Sequence, residues 1–318
     1  MAASGAAFAQ SAVTLGGTYN FGVQKSNTGA KSADFFDAKV NFSGAEDLGG
    51  GLKASFSTEM QMGGRADTTT VAAAAGAEVA NQSKKSNVWA RNATVSLAGG
   101  FGTLTGGRVE GGNLAQSAQL AGASLANGFD QASLAGANTN FNLVSYTSPA
   151  FNGFTVGVSQ SKALNSAFAA DADSSDETTV TAVSASYAAG PLAAGFVNKS
   201  VNTAGTSADG KKNEMFATYD LGVAKVGLGY AKNSGAAYAG QKAQVIASVV
   251  APVAANFTLG ADYINRDGAT AGTDSKGYAV AANYMLSKRT KINATMGKLT
   301  LAGVAGQSQY RVGLFHNF

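Results

Sequence analysis

Successive residues along much of this chain alternate between apolar and polar. That period of two restricts the possible folds more than any other feature. Val13, Leu15, Tyr19, Phe21 and Val23 share one parity, whereas Thr14, Gly16, Thr18, Asn20, Gly22 and Gln24 take the other. Side chains leave an extended backbone on opposite sides in turn, so such a run is a strand with two unlike faces. Ala38, Val40 and Phe42 oppose Asp37, Lys39, Asn41 and Ser43 in the same way. Leu52, Ala54, Phe56, Met60 and Met62 then oppose Lys53, Ser55, Ser57, Glu59 and Gln61. Near the end, Phe257, Leu259, Ala261 and Tyr263 oppose Asn256, Thr258, Gly260 and Asp262. In the last segment Tyr310, Val312, Leu314 and Phe318 oppose Gln309, Arg311, Gly313, Phe315 and Asn317. The pattern is less clean around 140–148 and 178–187.

The segments between the strands alternate in length. Seven short connections fall near 45–51, 98–101, 149–153, 188–191, 221–224, 252–256 and 287–290. Eight longer polar ones fall near 25–34, 63–87, 111–139, 162–178, 200–213, 232–242, 265–276 and 299–307, which gives sixteen strands. An even strand count with short turns at one end and long loops at the other is the pattern of a transmembrane β-barrel. About ten tilted residues suffice to cross a bilayer core.

Composition decides between this and a soluble sandwich. Only 13% of residues are charged, against about 25% in soluble domains, and the polar parity is largely Gly, Ser, Thr and Asn. In hydrocarbon every backbone group must pair internally, so the sheet must close. Sixteen strands then surround a water-filled lumen. The expected fold is all-β: a 16-stranded antiparallel transmembrane barrel, with its apolar parity toward lipid and its polar parity wetted.

Other features exclude function classes. There is no Cys and a single His, His316, so thiolate chemistry and multi-histidine metal centres lack material. His316 shares the parity of Leu314, which places it outside the barrel. A net charge of +4, with no more than two adjacent Lys or Arg, does not point to nucleic acid. Gly205 to Lys212 mimics a phosphate loop but lacks the following Ser/Thr and helix. Ser159 and Lys162 have nucleophile-pair spacing only on a helix, and here they fall in a strand. Asp171, Asp173, Asp176 and Glu177 lack the ordered spacing of a calcium loop and read as a solvated loop, so no metal or cofactor is expected. Trp89, near Arg91, reads as an interfacial aromatic or a subunit contact. The step Ala7-Phe8-Ala9 fits signal-peptidase cleavage. Residues 1–9 are therefore read as a signal-peptide remnant, and 10–318 as one barrel domain.

Ser11–Val23, Gly44–Glu59 and Ser96–Arg108 resemble segments of the general porins of betaproteobacterial outer membranes. So do Ser145–Gly157, Ser186–Gly195, Leu286–Thr290 and the terminal Phe318. The resemblance spans essentially the whole chain. It implies a homotrimeric, non-enzymatic diffusion channel in the outer membrane of a Gram-negative bacterium, in contact with lipid and lipopolysaccharide. It also implies short periplasmic turns, long extracellular loops and a third loop, Gly111–Ala137, folded into the lumen. Phe318 would belong to the signal read by the outer-membrane insertion machinery.

The same resemblance implies the site. Lys39 and Arg108 fall at basic positions of the constriction, with Glu110 and Asp130 as the acids at and within the third loop. By parity Arg108 goes with Leu104 and Gly106, so a bulge is needed to aim it inward. Asn92 and Thr139 are neutral near positions that often carry Arg in anion-preferring relatives. Asn92, Lys53, Glu59 and Arg311 are expected to line the pore; Lys53, Glu59, Arg311, Lys225 and Asp262 are expected away from the narrowest point. The sparse charge of the third loop implies a weak transverse field. The expected function is passive diffusion of small hydrophilic solutes and ions, with a slight lean to anions. A substrate-specific channel would need an aromatic or ion-pair track in the lumen, and none is evident beyond Phe141 and Phe216.

Overall fold

The computed structural model describes residues 12–27, 33–62, 88–110, 112–122, 140–163, 178–203, 209–238, 240–268, 274–301 and 306–318. Sixteen strands form one closed antiparallel sheet in which each pairs with its sequence neighbours and the last pairs with the first. The first half is β1 (Ala12–Ser26), β2 (Ala33–Gly49), β3 (Leu52–Met62), β4 (Val88–Gly99), β5 (Gly102–Glu110), β6 (Asn140–Thr147), β7 (Phe154–Ala163) and β8 (Thr178–Ala189). The second half is β9 (Leu192–Thr203), β10 (Gly210–Asp220), β11 (Lys225–Gly235), β12 (Gln241–Ala254), β13 (Phe257–Gly268), β14 (Ser275–Met285), β15 (Thr290–Leu301) and β16 (Gln307–Asn317). Closure removes every sheet edge, as hydrocarbon demands.

All seven short connections join strands where the sequence places them. Glycine carries the tightest, with Gly49, Gly50 and Gly51 all at positive φ between β2 and β3. Pro252 sits at the bulge that ends the β12–β13 pairing, where a missing N–H is tolerated.

The apolar parity faces outward. Val13, Leu15, Phe21, Val95, Val144 and Leu228 are all more than half exposed in the single chain. The inner face is not uniformly wet. Ile246, Ile264, Ala279, Ala281 and Leu299 point inward from β12 to β15 and are buried, with Phe216 packed against them. They form a dry patch against the loop segment that enters the lumen.

The seam between β1 and β16 is sealed by the chain terminus. Gly17 and Phe318 exchange backbone hydrogen bonds of 3.3 and 3.1 Å. The Phe318 ring lies over Gly17 and 5.6 Å from the Tyr19 ring. A Cβ at Gly17 would meet that ring at 2.6 Å and the Lys39 carbonyl at 2.3 Å, so only glycine fits.

Candidate pore constriction

Beyond β5 the chain leaves the wall and crosses the interior. Asn113 caps a 3-10 turn, Leu114–Ala118, by accepting from the Ala115 N–H at 3.0 Å. Ala115, Ala118 and Ala121 recur every third residue, the period of a 3-10 turn, and all three are buried. They lie against the opposite wall, where glycines make room. A Cβ on Gly229 would stand 2.3 Å from the Ala115 carbonyl, and one on Gly227 2.3 Å from that of Ala118. One on Gly260 would stand 2.6 Å from the Ala121 Cα. The segment thus docks backbone to wall on β11 and β13.

Polar side chains of that wall satisfy the backbone of the docked segment. Leu114 N–H donates to Glu214 Oε2 at 3.1 Å, Leu120 N–H to Ser248 Oγ at 2.8 Å and Ala121 N–H to Asp262 Oδ1 at 3.3 Å. Lys199 Nζ donates to the Gly112 carbonyl at 2.9 Å. Glu214 is fully buried and carries two cations, Lys212 at 2.5 Å and Lys199 at 2.9 Å. A buried carboxylate needs such pairing to remain charged.

The other end of the segment is rooted at Arg91. A bulge between Glu59 and Met60 faces the step from Asn92 to Ala90, which leaves Arg91 as the extra residue. Arg91 Nε donates to Glu110 Oε2 at 2.8 Å, Nη2 contacts the same oxygen, and Nη1 stands 3.4 Å from Glu59. Asn92 Oδ1 accepts from the Glu110 N–H at 2.9 Å. Arg91, Asn92 and Glu59 therefore hold the root of the third loop.

Lys39 pairs in register with Thr18 and Gln61, on the parity opposite outward Val40 and Phe42, and so faces the lumen. It has no ion pair or hydrogen bond among the described residues. Arg108 pairs with Ala93 and Asn142, in the parity of outward Leu104. Gly107, at φ +142°, interrupts the pleat one residue earlier. Lys53 stands opposite Asp47 beside the β2–β3 turn, and Arg311 faces inward from β16. Asp130 and Thr139 lie outside the described residues, as do the acidic run from Asp171 to Glu177 and the Trp89 and Phe141 side chains.

Sequence reasoning missed Arg91, Lys199, Lys212, Glu214 and Ser248, and it read Asp262 as a lumen residue without its hydrogen bond to the docked segment. Parity alone marks most of them as inward, but nothing local says that a distant loop will lie on them. Ser159 and Lys162 stand on opposite faces of β7, so they cannot act as a pair. His316 is on the outer parity, 2.9 Å from Thr290 Oγ1.

A closed sheet with an apolar exterior, a wetted wall and a loop docked across its interior defines a channel-forming membrane barrel. Residues 1–301 match the Gram-negative porin family. The chain belongs to that family, and its place is the outer membrane. It is 31% identical over 249 residues to outer membrane porin protein 32 of Delftia acidovorans, a match covering 71% of this chain and 65% of that relative. An anion-selective porin from Comamonas acidovorans has a similar structure, with a TM-score of 0.68 at 24% identity, covering 97% of this chain and all of that one. A loop-deletion mutant of OmpT from Vibrio cholerae follows at 0.67 and 14%, covering 97% of this chain and 99% of that one.

Proposed function

We propose that the protein is a passive diffusion channel for small hydrophilic solutes and ions, with a modest preference for anions and no catalytic activity. The carrying observation is the unequal pairing of lumen charge. The acids at the start of the docked segment are matched by cations, Glu59 and Glu110 by Arg91, and Glu214 by Lys199 and Lys212, whereas Asp262 at its far end accepts from the Ala121 N–H. Lys39 faces the lumen without a partner among the described residues. An unpaired cation between low-dielectric walls attracts anions more strongly than it would in bulk water. The Comamonas porin of similar fold, itself described as anion-selective, supports the same reading.

In this reading Lys39, Arg108 and Glu110 surround the narrowest point, while Asn92, Lys53, Glu59 and Arg311 line the remaining path. The barrel works as a homotrimer among lipid and lipopolysaccharide, after insertion by the outer-membrane machinery that reads Phe318.

The test is zero-current potential across a planar bilayer under a potassium chloride gradient. The wild type is expected to give the sign of an anion-preferring pore, and Lys39→Glu to move it toward cations. A cation-preferring wild type that Lys39→Glu leaves unchanged would overturn the assignment.

A further inference from the structure

Three lysines stand together on the outer face of the barrel, at the end that carries the long loops. Lys276 is the second residue of β14, Lys298 the fourth from the end of β15, and Lys25 the second from the end of β1. They take the parity of exposed Val280, Met296 and Val23, and so point out of the barrel. Register sets Lys298 opposite Tyr278, with Lys276 one same-face step nearer the loops. Lys25 stands opposite Tyr310 across the seam, and Tyr310 stands opposite Met296, one same-face step from Lys298. The Lys298 stem lies over bare Gly306, where a Cβ would meet its Cε at 2.7 Å and its Nζ at 3.5 Å.

Position along the strands fixes what surrounds these ammonium groups. Val280, Met296 and Val312 continue the same rows toward the short turns and are exposed to hydrocarbon. Tyr278 and Tyr310, also exposed, stand between those rows and the loops. Such tyrosines mark the depth at which hydrocarbon gives way to headgroups, and a lysine stem carries its charge further toward water. Arg91, Lys199 and Lys212 are engaged with carboxylates that the protein supplies. The three outer lysines have no ion pair or hydrogen bond among the described residues. Asp267 on β13 and Asp274 in the loop after it accept instead from Asn265 Nδ2 at 3.4 Å and from the Gly268 N–H at 2.8 Å. Cations at headgroup depth without a protein counter-charge match the anionic groups of the lipid. Lys276 and Lys298 are on adjacent strands, whereas β1 lies two strand spacings from β15, about 10 Å. That separation suits two phosphates on one headgroup.

We propose that Lys276, Lys298 and Lys25, with Tyr278 and Tyr310, form a docking surface on the outside of the barrel for an outer-leaflet lipid that bears two phosphates. The surface deepens the lipid contact of the function proposed above and rests on that placement of the barrel, not on conduction. The ammonium groups pair with the phosphates, and the two tyrosines border the headgroup.

The test is native mass spectrometry of the detergent-solubilised protein titrated with diphosphoryl lipid A, monophosphoryl lipid A or phosphatidylcholine. Diphosphoryl lipid A is expected to be retained most tightly and phosphatidylcholine least, with inorganic phosphate at equal concentration displacing neither. Replacing all three residues, Lys25→Gln, Lys276→Gln and Lys298→Gln, is expected to raise the dissociation constant for diphosphoryl lipid A about tenfold. The corresponding triple change to Arg keeps it. Lys298→Gln alone raises it about threefold, a second route to the same reading if the triple variant fails to fold. Lys288→Gln, in the short turn at the other end of the barrel, leaves it unchanged. Equal retention of diphosphoryl lipid A and phosphatidylcholine overturns the proposal, as does wild-type affinity in the triple Gln variant or displacement by inorganic phosphate. A triple Gln variant that changes oligomeric mass while keeping its lipid A overturns it too, because a second copy of the chain then covers this face. Planar-bilayer conductance reads the pore separately. A conducting barrel that retains lipid A no better than phosphatidylcholine overturns only this surface, and a silent barrel that retains lipid A through these lysines overturns only the pore reading.

Discussion

Arg91 owes its place in the lumen to one extra residue. A strand that slips by one position exchanges its faces, and the bulge opposite Glu59 and Met60 does this locally. Arg91 can then reach both Glu59 and Glu110, so the root of the third loop carries two acids and one cation. Replacing it removes the only cation these two carboxylates contact among the described residues. Arg91→Gln is therefore expected to lower the anion-to-cation permeability ratio roughly twofold or more, read from zero-current potentials. A ratio equal to the wild type would mean that the two acids do not face the ion path. The bulge is also why Arg91 escaped detection. Its neighbour Asn92 has the regular parity and is legible as pore-lining, whereas no residue type in this stretch signals an inserted position. Lys39 offers a second check at this scale. Its attraction for anions acts through solution, where the screening length falls from about 10 Å at 0.1 M salt to about 3 Å at 1 M. The anion preference is expected to fade as mean potassium chloride concentration rises over that range.

At the scale of elements, the barrel strands were readable and the loop between them was not. Sixteen strands, seven short turns and the outward rows of Val, Leu and Phe all follow from alternation, because burial against lipid rewards each apolar position independently. The docking of the third loop depends instead on residues far apart in sequence. Gly227, Gly229 and Gly260 look like ordinary small residues of a wetted face, yet they form a seat that admits a backbone. Ile246 and Ile264 break the expectation of a polar interior for the same reason, since this part of the wall is covered and dry. The seat makes a sharp prediction. In Gly229→Ala the new methyl would stand 2.3 Å from the Ala115 carbonyl, which must then shift. Overpacking of this kind costs about 1–3 kcal/mol. The wall is locked by strand pairing, whereas the docked segment is held by a few hydrogen bonds, so the segment should yield. Gly229→Ala is expected to change unitary conductance and increase open-channel noise, with heat resistance of the barrel unchanged. Unaltered noise and conductance would show that the segment does not border the ion path.

For the whole molecule the controlling condition is closure. Strands β2 to β15 acquire both neighbours from adjacent parts of the chain, but β1 and β16 must meet across nearly the full sequence. Until they do, two rows of unpaired backbone groups face lipid, each costing several kcal/mol. The last contacts of that seam are therefore decisive for insertion. Here they consist of the paired hydrogen bonds between Gly17 and Phe318, with the Phe318 ring seated on the bare Gly17 backbone and near Tyr19. Alternation and the terminal aromatic made this strand legible from sequence, but not its socket, because Gly17 falls in an apolar row and looks like an omission. Filling the socket should act like removing the ring. Gly17→Val places a side chain against both Lys39 O and the ring, and Phe318→Ala removes a tilted aromatic contact worth about 0.5–1.5 kcal/mol beyond its burial. Both variants are expected to insert more slowly into lipid vesicles and to lose the compact electrophoretic form at lower temperature than the wild type. Val144→Ala, an exposed outer position on β6 remote from the seam, is expected to alter neither measurement. Equal insertion rates for Gly17→Val and the wild type would mean that closure is secured elsewhere on the seam. The remaining β1–β16 register from Asn20 to Ser26 would then carry it.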